Sequence, residues 1–431
     1  MQAKSAVSPS ATLRVGLFFD GTGNNRSNSD LADSAAISGT SYANAPSNIA
    51  LLLDLYPQGP GELADGSART FLKRYVPGIG TADGQPDSTY DQLTGRGASG
   101  VAARAEQAMQ AVIEQLTLWR QANPAARAIR LEFDLFGFSR GAAAARHLAN
   151  ALRKGHPALA ELPFTCEIRI CFIGLFDTVA AIVAPLEGNF SPANARYAGL
   201  QLSLGAGIAG HVVQLVAGDE RRHNFPLVRT AHDIVLPGVH SDIGGGYPPR
   251  MLEQVLLCKP RSSREPLRSP VERSSAYAHV LALLDREYAQ ALPPRPQVIT
   301  WEAPAGSGKP AEREKQVFAA LYREREVAGE LSLIYLSIMR ELAAAQGVPF
   351  APVSRCPLDP VLAGISRKLH AFALGHRADP DLTEAEQGLL QSRYVHTSAH
   401  WNAVGGLRNS DLDVLYIDRP SPAGRVLHDT C

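Results

Sequence analysis

The sequence predicts an α/β protein: a mostly parallel sheet covered by helices on both faces. Three observations carry this reading. Short apolar runs recur along the chain, each ends in a turn rich in Gly or Asp, and helical stretches fall between them. The first run, Arg14 to Phe19 (RVGLFF), stops at Asp20-Gly21-Thr22-Gly23-Asn24-Asn25. Residues 26–45 are small and polar and read as a surface loop, and residues 49–56 and 101–120 carry apolar positions at helical spacing, the second with Ser99 as its predicted cap. The second run, Ile129 to Phe136 (IRLEFDLF), enters Gly137-Phe138-Ser139-Arg140-Gly141 and then the helical AAAARHLANALRK. A third run, Ile168 to Phe176, ends in Asp177-Thr-Val, and a fourth, Asp233 to Val239, ends in HSDIGGGY. Residues 1–12 read as a loose leader and 13–431 as one domain. Within it, the Pro-, Arg- and Ser-rich stretch of about 259–315 reads as a helical or loop cap inserted over the sheet, 313–346 as helical, and Leu412 to Ile417 as the last apolar piece.

Composition narrows the function classes. The 431 residues hold 42 Lys+Arg against 42 Asp+Glu, so no global field attracts nucleic acid and any contact with a lipid headgroup must be local. For a lipid ligand, balanced charge would favour the tails over headgroup charge as the source of binding. Five scattered cysteines suit neither a disulfide framework nor a zinc knuckle. The N-terminus lacks a charged-then-apolar signal segment with a small-residue cleavage site, which predicts synthesis in the cytoplasm. Residues 202–217 are broken by glycines, His211 and Gln214 and fall short of a spanning helix, so the chain is expected to be soluble as made.

The chemistry centres on the G-x-S-x-G at 137–141, with a strand before it and a helix after. A serine at such a corner is strained outward, and glycines two residues either side let the two backbones pass. This makes the sheet α/β-hydrolase-like, with Ser139 as nucleophile and the Arg140 amide as a donor to a developing oxyanion. A second donor is expected from the first glycine turn, at Gly21 or Thr22. Such a serine needs a histidine and an orienting carboxylate, in the order Ser, acid, His. Asp177 is the leading acid and Asp242 the alternative; His396, in RYVHTSAHW, is the leading base and His240 the alternative. A different chemistry is also open: Asp20, His240 and Asp242 as hard ligands of a divalent ion in a metal-assisted phosphoesterase. A non-catalytic binding module on the same fold is the third reading. The triad itself calls for no cofactor, and calcium is the one ion left open. Asp219-Glu220-Arg221-Arg222 reads as a solvated or ion-paired face, and Gly306-Ser307-Gly308-Lys309 as a turn, since it lacks the rest of a phosphate loop.

Taken together, LFFDGTGNN, FGFSRGAAAAR, FDTV, DERRHNFP, LPGVHSDIGGGY and YVHTSAHW resemble, in that order, the catalytic domain of type VI secretion phospholipase effectors, over residues 14–417. The resemblance implies a phospholipase of the A type acting on acyl esters of membrane phospholipids. It also implies antibacterial use: synthesis in the bacterial cytoplasm, carriage on a spike or tube component of the secretion machine, delivery into rival cells with the periplasm as destination, and a cognate immunity protein. Carried onto matching positions, it gives Ser139, Asp177 and His396 the roles of nucleophile, acid and base.

Overall fold

The structure, a computed structural model, describes residues 11–31, 40–63, 65–126, 128–182, 191, 193–195, 197–304, 314–353, 358–403 and 416–430. The four apolar runs predicted as strands enter one seven-stranded sheet, together with three strands that were not predicted, Gly59–Glu62, Ala68–Val76 and His211–Ala217. Its strands are β1 (Ala11–Phe19), β2 (Gly59–Glu62), β3 (Ala68–Val76), β4 (Ala128–Phe138), β5 (Thr165–Phe176), β6 (His211–Ala217) and β8 (Asp233–Leu236). The order is β2-β3-β1-β4-β5-β6-β8. Every pair is parallel except β2 with β3. The short β7 (Leu227–Val228) stands apart and pairs in parallel with β13 (Leu427–His428), which ties the end of the chain to the body. Strand β1 begins two residues earlier than the predicted leader boundary, because Ala11 and Thr12 already pair with Ile129 and Arg130.

Both faces of the sheet are covered. On one, the helices Val101–Ala122 and Arg140–Lys154 pack against Leu13, Val15, Leu17, Leu131, Phe133 and Leu135. Ala142 to Ala145 are fully buried, and their small side chains let the second helix lie close to the strands. On the other face, Asn48–Leu55, Leu331–Ala345 and Pro360–Ala373 cover Phe18, Phe136, Phe172 and Phe176. Arg14 and Asp134 form a buried ion pair inside this core, 2.8 Å from Nε to Oδ2, and the Tyr56 hydroxyl donates to the same carboxylate at 2.8 Å. With its charges matched and its oxygens occupied, the pair avoids the large cost of a lone buried charge.

Several segments differ from expectation: within 26–45, read as a surface loop, Arg26–Asp30 and Thr40–Ala43 are short helices, and Asn28 and Ser41 are buried. Residues 314–328 form the strand β12 (Glu314–Ala328), and only Leu331–Ala345 of the predicted helical stretch is helix. Alternation around VFAALY fits a sheet with one buried face, and that period of two outweighs the helix-forming composition. The region read as a helical or loop cap also carries strands. β10 (Arg261–Pro266) and β11 (Gln297–Pro304) flank β12, and β9 (Arg250–Leu256) extends it, giving a second, antiparallel sheet braced by the helix Ser275–Glu287. Ser99 does not cap the helix Val101–Ala122: Gly100 is the N-cap, and Ser99 donates to Asp91 instead. The Gly306–Lys309 turn lies outside the described residues, as does most of the Leu412–Ile417 piece, where only Tyr416 and Ile417 are described. No helix among the described residues is long and apolar enough to cross a membrane.

Candidate active site

Parallel pairing in register sets two strained residues next to each other. Phe138 of β4 lies opposite Phe176 of β5, and Ser139 and Asp177 are the residues that follow. Both leave their strands with positive φ, 57° for Ser139 and 44° for Asp177, a rare backbone region for residues with a side chain. The Ser139 N–H donates to Phe176 O at 3.1 Å, which stitches the two strand ends together. The flanking glycines are needed for close approach: a Cβ on Gly137 would stand 2.5 Å from the Cα of Ala142, and one on Gly141 would collide with the carbonyls of Phe19 and Asp20. The helix Arg140–Lys154 therefore starts directly over the end of β1, with Ser139 at its N-cap.

Asp177 is fully buried and every face of its carboxylate is engaged. Oδ1 accepts from the Ala217 N–H at 3.0 Å and from Arg425 Nη1 at 2.7 Å; Oδ2 accepts from Arg425 Nη2 at 2.7 Å and from His240 Nδ1 at 2.6 Å. Burial alone would raise its pKa, but the Arg425 charge and the bonds from His240 and Arg425 hold it well below the usual carboxylate range. His240 opens the helix His240–Gly244 after β8. Its ring lies between Phe138, at 4.6 Å, and Phe225, at 4.8 Å, and its N–H is held by Glu220 Oε2 at 3.2 Å. Burial pushes the imidazole pKa below its ordinary value even though Asp177 pulls the other way. The ring is neutral near pH 7, with Nδ1–H on the carboxylate and Nε2 left as a base.

A cavity of about 680 Å³ opens at this sheet end. Ser139, Arg140, Thr22, His240, Phe225 and Tyr247 are among its lining residues. No described residue of 259–315 lines it. Arg140 Nε donates to Thr22 Oγ1 at 2.7 Å, so the residue after the serine is tied to the first glycine turn. The Gly21 amide is not available there, because it donates to its neighbour's carboxylate, Asp20 Oδ1, at 2.7 Å.

The other predicted residues sit elsewhere. His396 does not face Asp177: its Nδ1 donates to Asp242 Oδ1 at 2.6 Å, its N–H donates to Asp242 Oδ2 at 3.1 Å, and its ring stacks on Tyr247 at 3.7 Å. Among the described residues its Nε2 has no partner. Asp242 Oδ2 also accepts from the Val239 N–H at 2.9 Å, fixing the start of the helix that carries His240. Asp242 thus has no place as the acid beside Ser139, and it is His240, the alternative base, that joins Asp177. The Asp20, His240 and Asp242 cluster does not form either. Asp20 is engaged by Tyr75 at 2.6 Å and by Gly21, while the other two are paired as described. Among the described residues no group of three or more His, Cys, Asp or Glu is gathered as a metal site requires. Burial pushes the Asp20 carboxyl up to about 6 against its hydrogen bonds, which suits a closed structural turn.

Two residues that sequence reading did not assign to the site complete the arrangement. Arg425 comes from the Pro- and Gly-rich chain end, where no periodicity or motif marks it. Glu220 is not solvated: it is 2 % exposed and takes bonds from Arg222, the Arg221 and Arg222 amides, Ser398 and the His240 amide. Burial works against its charge, yet Arg222 pulls its pKa down to about 2.

A parallel sheet with helices on both faces, a strained serine between two glycines at a strand-to-helix corner and a histidine–carboxylate pair at the same sheet end is the architecture of an α/β-hydrolase-like protein. Within that class the chain is similar to type VI secretion phospholipase effectors, a group of hydrolases, as its sequence motifs suggest. Residues 158–267 match the family model described as "T6SS, Phospholipase effector Tle1-like, catalytic domain". The whole fold is similar to a solved Tle1 effector bound to the VgrG spike of the Type 6 secretion system, at 26% identity and a TM-score of 0.75, covering 99% of this chain and 95% of that one. An uncharacterized protein from Pseudomonas aeruginosa, at 26% identity, matches 55% of this chain and 42% of its own with a TM-score of 0.31, too low to signify shared architecture. No curated protein matches the chain.

Proposed function

We propose that the protein is a serine esterase of the phospholipase A type, with Ser139 as nucleophile, His240 as general base and Asp177 as the carboxylate that orients it. The observation that carries this is the sharing of one cavity by Ser139 and His240, with His240 Nδ1 anchored on Asp177 at 2.6 Å. His240 Nε2 takes the Ser139 proton as Oγ attacks an acyl ester. The negative charge passes to the carbonyl oxygen, and the Arg140 amide at the helix N-terminus and the Thr22 amide receive it. The imidazolium, held by Asp177, then protonates the leaving glycerol oxygen. Water, deprotonated by the same ring, releases the fatty acid from the acyl-enzyme.

The similarity to a spike-bound effector supports a matching life history: synthesis in a bacterial cytoplasm, loading onto a VgrG-like spike, action on phospholipid in a rival's envelope, and an immunity protein in the producer. The triad chemistry itself calls for no metal ion, and chelation is expected to leave the rate unchanged. The test is mass spectrometry of products from mixed phospholipid vesicles, with wild type beside Ser139→Ala, and labelling by a fluorophosphonate probe. Wild type should be labelled and release free fatty acid, and Ser139→Ala should do neither. Fatty acid release by an unlabelled Ser139→Ala protein would rule the mechanism out, and absence of both in wild type would favour a binding module.

A further inference from the structure

Buried arginines in this protein come with partners that satisfy them. Arg14 has Asp134, Arg222 has Glu220, Arg325 has Glu253 and Arg425 has Asp177. Arg146 has no carboxylate in bonding range, but the carbonyls of Leu202, Val228 and Arg229 and the Gln214 side chain surround it. Arg140 is the exception. It is 9 % exposed, its Nε is fixed on the Thr22 hydroxyl, and among the described residues no carboxylate or carbonyl takes its terminal nitrogens. Burial pushes its pKa down to about 10, with no neighbouring charge offsetting the effect. The side chain lies in the cavity that holds Ser139, against Gly95, whose bare Cα leaves room for it. The cavity lining includes Arg140, Arg222 and Arg419 and, among the described residues, no Asp or Glu. Arg222 is neutralised by Glu220, so Arg140 is a cation that this pocket leaves to an anionic ligand, a local contact that zero net charge over the chain does not reveal.

A desolvated guanidinium without a counter-ion is unfavourable, and a ligand that brings the anion removes the penalty. The planar fork of an arginine matches the oxygens of a phosphate. We propose that Arg140 holds the headgroup phosphodiester of a glycerophospholipid while an ester on the same glycerol lies at Ser139. The inference rests on the esterase reading above and deepens it by naming the residue that recognises the phosphate of that substrate. In a glycerophospholipid only the glycerol backbone separates phosphorus from the ester carbonyls. The two protein groups stand on consecutive residues: Ser139 supplies the nucleophile, and Arg140 supplies an amide for the oxyanion and a guanidinium for the phosphate. Thr22 is a positioning residue, since its hydroxyl fixes Nε and leaves the terminal nitrogens to the ligand.

The experiment compares phosphatidylcholine with diacylglycerol of identical acyl chains in the same detergent micelles. The readout is the ratio of kcat/KM for the two lipids in wild type, Arg140→Gln and Arg140→Lys. The ratio should fall at least about tenfold in Arg140→Gln, as expected for losing a charge-assisted hydrogen bond, and less in Arg140→Lys, which keeps the charge without the fork. A ratio unchanged within about twofold, with both rates falling together, would give Arg140 a purely structural role and overturn the proposal. A second arm reads binding without chemistry: calorimetry of glycerol-3-phosphocholine, and of inorganic phosphate, with Ser139→Ala protein. Glycerol-3-phosphocholine should bind, and more weakly by at least about tenfold once Arg140→Gln is added. Preference for inorganic phosphate over the diester, or binding indifferent to Arg140, would overturn the assignment. If wild type hydrolyses neither lipid the esterase reading fails, and the calorimetric arm decides the phosphate site by itself.

Discussion

Two histidine–aspartate pairs stand close together at the sheet end, and by local geometry they are twins. His240 donates to Asp177 and His396 donates to Asp242, each at 2.6 Å and each deeply buried. What separates them is everything beyond the bond. His240 lines the cavity with Ser139, while its acid is locked by Arg425 and its ring lies between two phenylalanines. The side chain of His396 is wholly buried, its ring stacks on Tyr247, and its segment is clamped by the second sheet: Glu253 of β9 receives the Thr397 amide, and Arg325 of β12 donates to Val395 O at 2.7 Å. Asp242 in turn holds the start of the helix that begins with His240. One pair faces substrate space; the other braces the element that carries the first. A histidine–carboxylate bond is therefore no signature of a base unless the second ring nitrogen reaches the cavity.

The sharpest way to break this comparison is to truncate each histidine in the same manner. His240→Gln should lower kcat/KM by about 10³-fold or more with a small change in Tm, because it removes the general base proposed above. His396→Gln should do the reverse. It leaves Asp242 buried without its ring partner, at a cost of about 3 kcal/mol in stability, while turnover of the folded protein falls less than about tenfold. Thermal melts and kinetics on the two proteins are sufficient. An exchange of the two phenotypes would return His396 to the role that chain order suggested.

That the structure seats His240, and not His396, on Asp177 has a physical reason. Ser139 was legible because its cause is local: a strand, a glycine-flanked corner and a helix lie within a few residues. Asp177 was legible because it ends the adjacent strand in register. The choice between His240 and His396 depends on which ring faces the cavity, and neither the strand before His240 nor the helical turn before His396 reveals that. One signal was nonetheless present. His240 and Asp242 are two apart at the start of a helix, so their side chains diverge and cannot both serve one centre. If one faces Ser139, the other must find a partner elsewhere, and His396 is that partner. Arg425 was illegible for the opposite reason, since its position depends on β13 pairing with β7 across nearly half the chain. The second sheet was hidden because Pro- and Arg-rich composition masked period-two patterning in β9 to β12.

Arg425 separates the pairs further, because the bracing pair has no equivalent of it among the described residues. Arg425→Met should lower kcat/KM about 10- to 100-fold, since Asp177 keeps His240 but loses its bidentate anchor. The pH profile gives the sign. The base works only as neutral imidazole, and burial sets its pKa below the ordinary histidine value despite the pull of Asp177. Wild-type kcat/KM should thus stay level as pH falls past the ordinary histidine range, then drop as the ring takes a proton. Without Arg425 the Asp177 charge acts more fully on the ring, the protonated form gains, and the acid limb moves to higher pH. A limb that stays in place, or moves to lower pH, would show that Arg425 does not tune the pair.

The smallest expected effect concerns the residue that touches both regions. Tyr247 lines the cavity and stacks on His396 at 3.7 Å with the rings 18° apart. Tyr247→Leu keeps apolar bulk but removes the stack, a loss of about 1 kcal/mol that melting can resolve. Turnover should fall by no more than about threefold, because Ser139, His240 and Asp177 keep all their contacts and only one wall of the cavity changes. If Tyr247→Leu instead abolished activity while leaving Tm unchanged, the bracing pair would be coupled to the chemistry through this ring, and the division between a working pair and a supporting one would have to be abandoned.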